Sequence, residues 1–224
     1  MNLLYVEIAR SLWMFDLRLF NPKGLGIQGT FEKLAEKYRF AKFPKHVLDL
    51  NDQKALAFQH GTFLNSANIP IGISFTIYNN GVTAETSSCT DDATEFLLEV
   101  ASWMSEEYGF VIPSGKDLGK GYFSQVGVEF DAPLSGMNAT LPTIAKSLSS
   151  RVKTLDGNTR QFDVGALNFW TEDIGQPLAP AAFRLERKWK TSFARNEYFS
   201  QAPLETAEHI DVLKQLEAAL KTRS

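Results

Sequence analysis

The segment from residue 69 to residue 87 constrains the fold more than any other part of the chain. Large apolar residues alternate there with small or polar ones, at Ile71, Ile73, Phe75 and Ile77. Strict alternation is the pattern of a strand with one buried face. The Asn79-Asn80-Gly81 step supplies residues that tolerate positive φ, and the alternation then resumes. The segment therefore predicts a tight β-hairpin.

A long amphipathic helix is expected directly after this hairpin. Thr90 is a good N-cap residue, and Asp91 and Asp92 follow it where carboxylates favour the positive end of a helix dipole. Apolar residues then recur at spacings of three and four as far as Tyr108, and Gly109 suits the position after the helix end.

The remaining periodic segments predict a similar order of elements on either side of a polar joint at residues 114–121. Strands are expected at 15–20, 55–63, 122–130, within 161–173 and along 181–195, and helices from Thr30, Thr140 and Thr206. If the long segment at 181–195 folds back near Lys190, each half reads β-α-β-β-β-α. The predicted class is therefore α+β, a mainly antiparallel sheet with helices on one face, with internal duplication as a hypothesis.

The two predicted halves span residues 14–113 and 121–222 and are expected to form one domain. Residues 1–13 are apolar, but Glu7 and Arg10 interrupt them and no basic leader precedes them, which does not fit a signal peptide. Met14 stands directly before the expected first strand. Residues 1–13 are therefore interpreted as an N-terminal extension, with either Met1 or Met14 as the native start.

The order of elements resembles the duplicated fold of TATA-box-binding proteins and, more loosely, the paired ferredoxin-like folds of CRISPR repeat-processing endoribonucleases. This resemblance is confined to the order of strands and helices, and no residue motif of either family occurs in the chain. It implies a sheet that could contact nucleic acid, and it lends no site residue to this protein.

Composition excludes several classes of protein. The chain has 23 Lys and Arg against 26 Asp and Glu, a net charge of −3, which does not suit a protein that coats a phosphate backbone. A single cysteine, Cys89, cannot form an intramolecular disulfide. No apolar run approaches the roughly 18 residues of a membrane span. A cytoplasmic location without membrane contact is the expectation.

Two residues are candidates for catalysis. His60 follows Gln59 at the end of a predicted strand, where an imidazole could face a cleft and act as an acid or base. Cys89 lies beside a helix start, whose dipole favours a thiolate, although Asp91 and Asp92 oppose this effect. A hydrogen-bonded structural histidine and an inert cysteine are the alternative interpretations.

No metal or cofactor is expected from the sequence. His46, His60 and His209 are far apart in sequence, and none has a His, Cys, Asp or Glu partner at ligand spacing on one predicted element. A metal site would have to be assembled entirely by the fold.

One basic strip, at residues 184–195, is a candidate nucleic-acid interface. Its phosphate-contacting and base-stacking candidates are Arg184, Arg187, Lys188, Trp189, Lys190 and Arg195. A cation beside an aromatic ring suits single-stranded RNA or DNA. A lysine-rich strand face that discourages edge-to-edge aggregation is the alternative interpretation.

These observations favour a non-catalytic interaction or assembly subunit, such as an adaptor, immunity or inhibitor-like protein, whose partner is another protein or a second copy of itself. The first alternative is a nucleic-acid-binding or RNA-processing protein that uses the strip at 184–195. The second alternative is a small-molecule enzyme whose active site leaves no linear motif.

Overall fold

The computed structural model describes residues 1–16, 18, 29–45, 55–111, 115–152, 157–172 and 179–222. The described strands are β1 (Asn2–Met14), β2 (Leu56–Leu64), β3 (Pro70–Tyr78), β4 (Gly81–Thr86), β5 (Gly119–Glu129), β6 (Ala166–Phe169), β7 (Phe183–Arg187) and β8 (Glu197–Ala202). The described helices are α1 (Thr30–Lys37), α2 (Thr90–Tyr108), α3 (Thr140–Arg151) and α4 (Thr206–Thr222). Short 3₁₀ turns lie at Gly115–Asp117, Leu134–Met137 and Phe193–Arg195.

The eight strands form one antiparallel sheet in the order β2-β3-β4-β1-β5-β8-β7-β6. The predicted α+β class is confirmed. The described elements follow the predicted order β-α-β-β-β-α twice. In each repeat the first strand is followed across the sheet by the fourth, third and second strands. Duplication as the origin of this repeat stays a hypothesis.

The hairpin and its helix form as predicted. β3 and β4 pair in register from Ser74 opposite Glu85 to Tyr78 opposite Gly81, and the turn lies between them. Helix α2 ends at Tyr108, and Gly109 takes a left-handed φ of 69° as the residue after the helix. The predicted cap is one residue off, because Cys89 occupies the N-cap position.

The first strand differs from the prediction. The sequence predicts this strand at 15–20. In the structure the first strand is β1 (Asn2–Met14), and Phe15 and Asp16 lie beyond its end. Residues 17, 19 and 20 of the predicted strand lie outside the described residues. The inward residues of β1 include Ala9 and Ser11, which are small, so the apolar alternation that marks a strand is weak there.

Contacts divide the chain into two compact units. One contains residues 8–124 and 204–206, and we call it the N-unit. The other contains residues 1–7, 125–203 and 207–224, and we call it the C-unit. The predicted boundaries at 14–113 and 121–222 stay a prediction.

Aromatic rings dominate the core of the N-unit. Phe96 on α2 is fully buried. Its ring makes edge contacts with Tyr38 at 4.9 Å, Phe63 at 5.4 Å and Phe75 at 5.7 Å between ring centres. Such edge-to-face pairs add to the free energy of burial. They attach α2 to the sheet that carries the candidate pocket described below.

Two helix starts are joined within the N-unit. The Thr90 amide donates to the Thr206 hydroxyl at 3.1 Å, and the Thr206 amide donates to the Thr90 hydroxyl at 2.9 Å. Both threonines are buried. Because the first amides of a helix have no partner within their own helix, this reciprocal pair satisfies one such amide in α2 and one in α4.

The C-unit has its own core. Tyr198, Leu185 and Leu213 are fully buried in it. The Tyr198 hydroxyl accepts a hydrogen bond from the Leu134 amide at 3.3 Å. Helix α3 is different, because none of its residues is buried.

Candidate functional site

A pocket of about 400 Å³ opens in the N-unit beside His60. The strands β2, β3 and β4 and the loop that leads into α2 provide its lining. The residues with most bearing on its chemistry are His60, Gly72, Ser74, Glu85, Ser87 and Ser88. The structure therefore brings one of the two sequence-predicted catalytic candidates to a cavity and adds a carboxylate and hydroxyl groups that were not predicted.

A β-bulge places His60 at this pocket. The register between β2 and β3 shifts between Phe58 and Gly61, and His60 within the bulge has a φ of 58°. Left-handed backbone is unfavourable for a residue with a Cβ atom and often marks a functional position. A Cβ at Gly61 would lie 2.4 Å from the Phe40 ring, so glycine is required beside the bulge.

Three polar groups of the pocket have no hydrogen bond to protein within the described ranges: the His60 imidazole, the Ser74 hydroxyl and one oxygen of Glu85. Arg10 donates from both Nε, at 3.0 Å, and Nη2, at 2.5 Å, to Glu85 Oε2. Glu85 Oε1 therefore keeps its accepting capacity. The Ser88 amide and hydroxyl, in contrast, are engaged with the Thr86 hydroxyl at 3.3 Å and 3.1 Å.

Replacement of His60 tests the strain in the bulge. Left-handed backbone costs a residue with a Cβ about 1–2 kcal/mol, and the larger backbone entropy that glycine loses on folding offsets part of this difference. We therefore expect the free energy of unfolding of His60→Gly to be about 1 kcal/mol higher than that of His60→Ala. Urea denaturation of the two variants measures this difference. In an unstrained strand alanine would be the more stable of the two, and that result would contradict the assignment.

The second catalytic candidate, Cys89, is at the N-cap of α2 and half-buried. Burial raises the pKa of the Cys89 thiol, and the neighbouring Asp92 carboxylate raises it further. Burial also acts to raise the pKa of Asp92, but hydrogen bonds from Ser88, Asn65 and Cys89 hold that pKa below its usual value. A thiol that donates to an ionised carboxylate stays protonated and is a poor nucleophile.

The three histidines are not brought together. His46 lies outside the described residues. His209 on α4 is fully buried in the C-unit, whereas His60 belongs to the N-unit pocket. Among the described residues, no group of three or more His, Cys, Asp or Glu side chains is placed to share a metal ion.

The burial and hydrogen bonding of His209 indicate a structural role. Its Nε2 lies 2.8 Å from the Ser200 hydroxyl, which donates at 2.9 Å to the Arg184 carbonyl. The hydroxyl hydrogen is used in that second bond, so the imidazole donates from Nε2 in its neutral form. Burial lowers the pKa of His209 to about 4.

This buried histidine predicts acid sensitivity. In the unfolded chain the pKa of His209 is about 6.5. Between pH 6.5 and 4 the unfolded state therefore binds a proton at this residue and the folded state does not. We expect His209 to contribute a loss of about 3 kcal/mol in the free energy of unfolding as pH falls from about 6.5 to about 4. Urea denaturation at several pH values measures the slope, and His209→Leu should reduce it between pH 6.5 and 5. An unchanged slope in this variant would contradict the prediction.

The basic strip is not one strand. An unbroken strand over 181–195 is wrong, because β7 ends at Arg187 and β8 begins at Glu197. The alternative, a reversal near Lys190, is confirmed: Lys190 takes a left-handed φ of 61° within a turn, and Asn196 takes 47° before β8. Two left-handed residues redirect the chain where side-chain alternation alone suggested continuity.

Half of the strip is occupied by internal ion pairs. The Arg187 side chain is 8% exposed and its Nη2 lies 3.4 Å from Asp163 Oδ2. Glu197, with a side chain only 4% exposed, pairs with both Lys188 and Arg195. These three cations are paired with the half-buried Asp163 or the buried Glu197, so their capacity to contact phosphate is reduced.

Of the other members of the strip, Trp189 and Lys190 face outward, whereas Arg184 is half-buried. Trp189 is 85% exposed, and Lys190 Nζ lies 4.8 Å from the centre of its ring. The Arg184 guanidinium lies 5.3 Å from the ring centre of Trp170. Within the described residues, neither Arg184 nor Lys190 forms an ion pair with a carboxylate.

Helix α3 carries an exposed apolar stripe that the sequence interpretation did not single out. Ile144 is 51% exposed and Leu148, one turn later, is 44% exposed. Val152, directly after the helix, is 39% exposed. We call these three residues the α3 stripe. Phe169 and Trp170, at 58% and 57% exposure, add large apolar surface elsewhere in the C-unit.

Comparison with family models and curated proteins assigns no family to this chain. No model of a protein family matches the sequence, and no curated protein matches it. Within the part of the chain that the structure describes, no helix has the length and apolar character needed to cross a membrane.

Proposed function

We propose that this protein is a non-catalytic interaction subunit that binds a partner protein through helix α3. The observation that carries the proposal is the α3 stripe, since an amphipathic helix ordinarily buries its apolar side. Exposed single apolar residues are common on protein surfaces, whereas several on one helix face mark an interaction site.

The charge of α3 indicates the chemistry of the partner. The helix sequence TLPTIAKSLSSR contains Lys146 and Arg151 and no acidic residue, although the whole chain has a net charge of −3. An apolar groove bordered by carboxylates would complement both the stripe and these cations. Recognition of this kind places an amphipathic helix in a groove and reads residues three, four and seven positions apart.

Paired variants on α3 test this proposal. We expect Ile144→Asp combined with Leu148→Asp to abolish capture of the partner from native extract, because each carboxylate would have to be buried in the groove. Thr143→Asp combined with Ser150→Asp is the matched control: it adds the same charge to exposed residues on the opposite side of the helix. Equal capture by both double variants, with both folded by circular dichroism, would contradict the proposal.

Trp189 supports a second candidate function. An aromatic ring that is 85% exposed beside a lysine is suited to stacking on a base of single-stranded nucleic acid. If this candidate holds, Trp189→Ala with Lys190→Ala weakens salt-sensitive binding of an oligonucleotide, as measured by fluorescence anisotropy. Leu64→Ala, which removes another exposed apolar side chain, at 60% exposure in the N-unit, is the control. Absence of binding at low salt would eliminate this candidate.

A further inference from the structure

The pocket beside His60 has the size and lining of a ligand site that is separate from α3. Its volume of about 400 Å³ falls within the range of about 300–1,000 Å³ typical of small-molecule sites. We propose that it binds a neutral, polyhydroxylated small molecule of sugar or nucleoside size. This site goes beyond the proposed protein interaction and does not depend on it.

Unpaired polar groups give the pocket its selectivity. Glu85 Oε1 can only accept a hydrogen bond, the Ser74 hydroxyl can donate and accept, and the His60 imidazole can do both through its two nitrogens. A ligand hydroxyl also donates and accepts, so adjacent hydroxyl groups can satisfy all three side chains. A purely apolar ligand would leave them buried without partners, at a cost in affinity.

The charge of the pocket selects against ionic ligands. Arg10 is paired with Glu85 through two hydrogen bonds and neutralises its carboxylate. Among the described residues that line the cavity, Glu85 is the one Asp, Glu, Lys or Arg side chain. Because the Arg10–Glu85 pair carries no net charge, the described Asp, Glu, Lys and Arg side chains at the cavity offer an ionic ligand no unpaired opposite charge, so a neutral ligand fits this site best.

Glycine at position 72 keeps the cavity open. Gly72 lines the pocket, and a Cβ placed there would meet no heavy atom within 4 Å. Ile71 and Ile73, on either side, point to the buried core. A larger side chain at position 72 therefore enters the pocket without disturbing the residues beneath it, which makes this position a direct probe of occupancy.

Titration followed by amide chemical shifts tests the site. The probes are D-ribose, D-glucose and uridine, with D-gluconate and D-glucosamine as the charged counterparts. We expect at least one neutral probe to shift the amide signals of Ser74 and Glu85 in a saturable manner, with weaker binding of the charged counterparts. Absence of saturable shifts with all three neutral probes at high millimolar concentration would overturn the proposal, and so would a preference for a charged probe.

Matched glycine variants show whether binding occurs in this pocket. We expect Gly72→Val to weaken binding by about tenfold or more, since the valine displaces the ligand from its hydrogen-bonding partners. Gly165→Val places the same side chain in equally open space within the C-unit and should leave binding unchanged. His60→Gly, which removes the imidazole and keeps the bulge, should also weaken binding. Equal affinity of Gly72→Val and the parent protein would overturn the assignment of this site.

Discussion

A shortened chain that begins at Met14 is expected not to fold. Removal of residues 1–13 deletes β1, which lies between β4 and β5 in the sheet. It also removes Ala9 and Trp13, both of which are buried, and exposes the hydrogen-bonding edge of β4. An unpaired interior edge of this kind favours aggregation. Circular dichroism and size-exclusion chromatography of the shortened protein measure the effect.

A synthetic peptide of residues 1–14 provides the control for this deletion. Because the peptide restores the missing strand, it should recover soluble, folded protein when it is added during refolding, whereas a peptide of scrambled sequence should not. Cooperative unfolding of the shortened chain without any peptide would show that residues 1–13 are an extension, as the sequence alone suggested, and would contradict the central position of β1.

Replacement of Phe96 by alanine is expected to cost about 3–5 kcal/mol in the free energy of unfolding, the usual cost of removing a buried phenylalanine. Phe96 is fully buried and its ring contacts those of Tyr38, Phe63 and Phe75, so its loss leaves a cavity with several rings around it. Urea denaturation measures the change.

Leu98→Ala on the same helix is the matched control. Leu98 is 53% exposed, and exposed substitutions usually change stability by no more than about 0.5 kcal/mol. If Phe96→Ala cost no more than Leu98→Ala, the aromatic cluster would not be the centre of the N-unit core.

Sequence patterns predict elements best where the inward residues are large. Ile73 and Phe75 alternate with small residues, and the hairpin formed by β3 and β4 was predicted within a residue or two. In β1 the inward positions include Ala9 and Ser11, which are small, so the alternation of large apolar and polar residues that marks a strand is hard to recognise there. Burial of small side chains in a central strand depends on neighbours that are distant in sequence.

The candidate pocket could be predicted only in part. His60 was recognised as a histidine at the end of a strand, but the bulge that holds it is a shift in the register between β2 and β3, which the sequence of β2 alone does not show. Ser74 is one of the small or polar residues that alternate with the large apolar ones, so the pattern places it on the outward face of its strand. Its position opposite Glu85 requires the register of the hairpin, which alternation alone does not determine.

Ion pairs within the protein explain why the basic strip offers fewer cations to a phosphate backbone than its sequence suggests. In the sequence, Arg187 and Lys188 are two cations beside a tryptophan. In the structure, Arg187 pairs with Asp163, which lies 24 positions earlier, and Lys188 pairs with Glu197. Local charge density does not show which cations are neutralised by distant carboxylates. Trp189 and Lys190 form the part of the strip that matches the prediction, because they are an exposed aromatic ring and a cation beside it.

Photo-crosslinking from α3 tests the proposed function most directly. A photoreactive phenylalanine analogue would replace Leu148 on the α3 stripe in one chain and Ser150, on the opposite side of the same helix, in another. After irradiation in native cells, we predict a discrete crosslinked product from position 148 that is absent from position 150. Identical products from both positions, or none from position 148, would contradict the proposal that α3 is the binding surface for a partner protein.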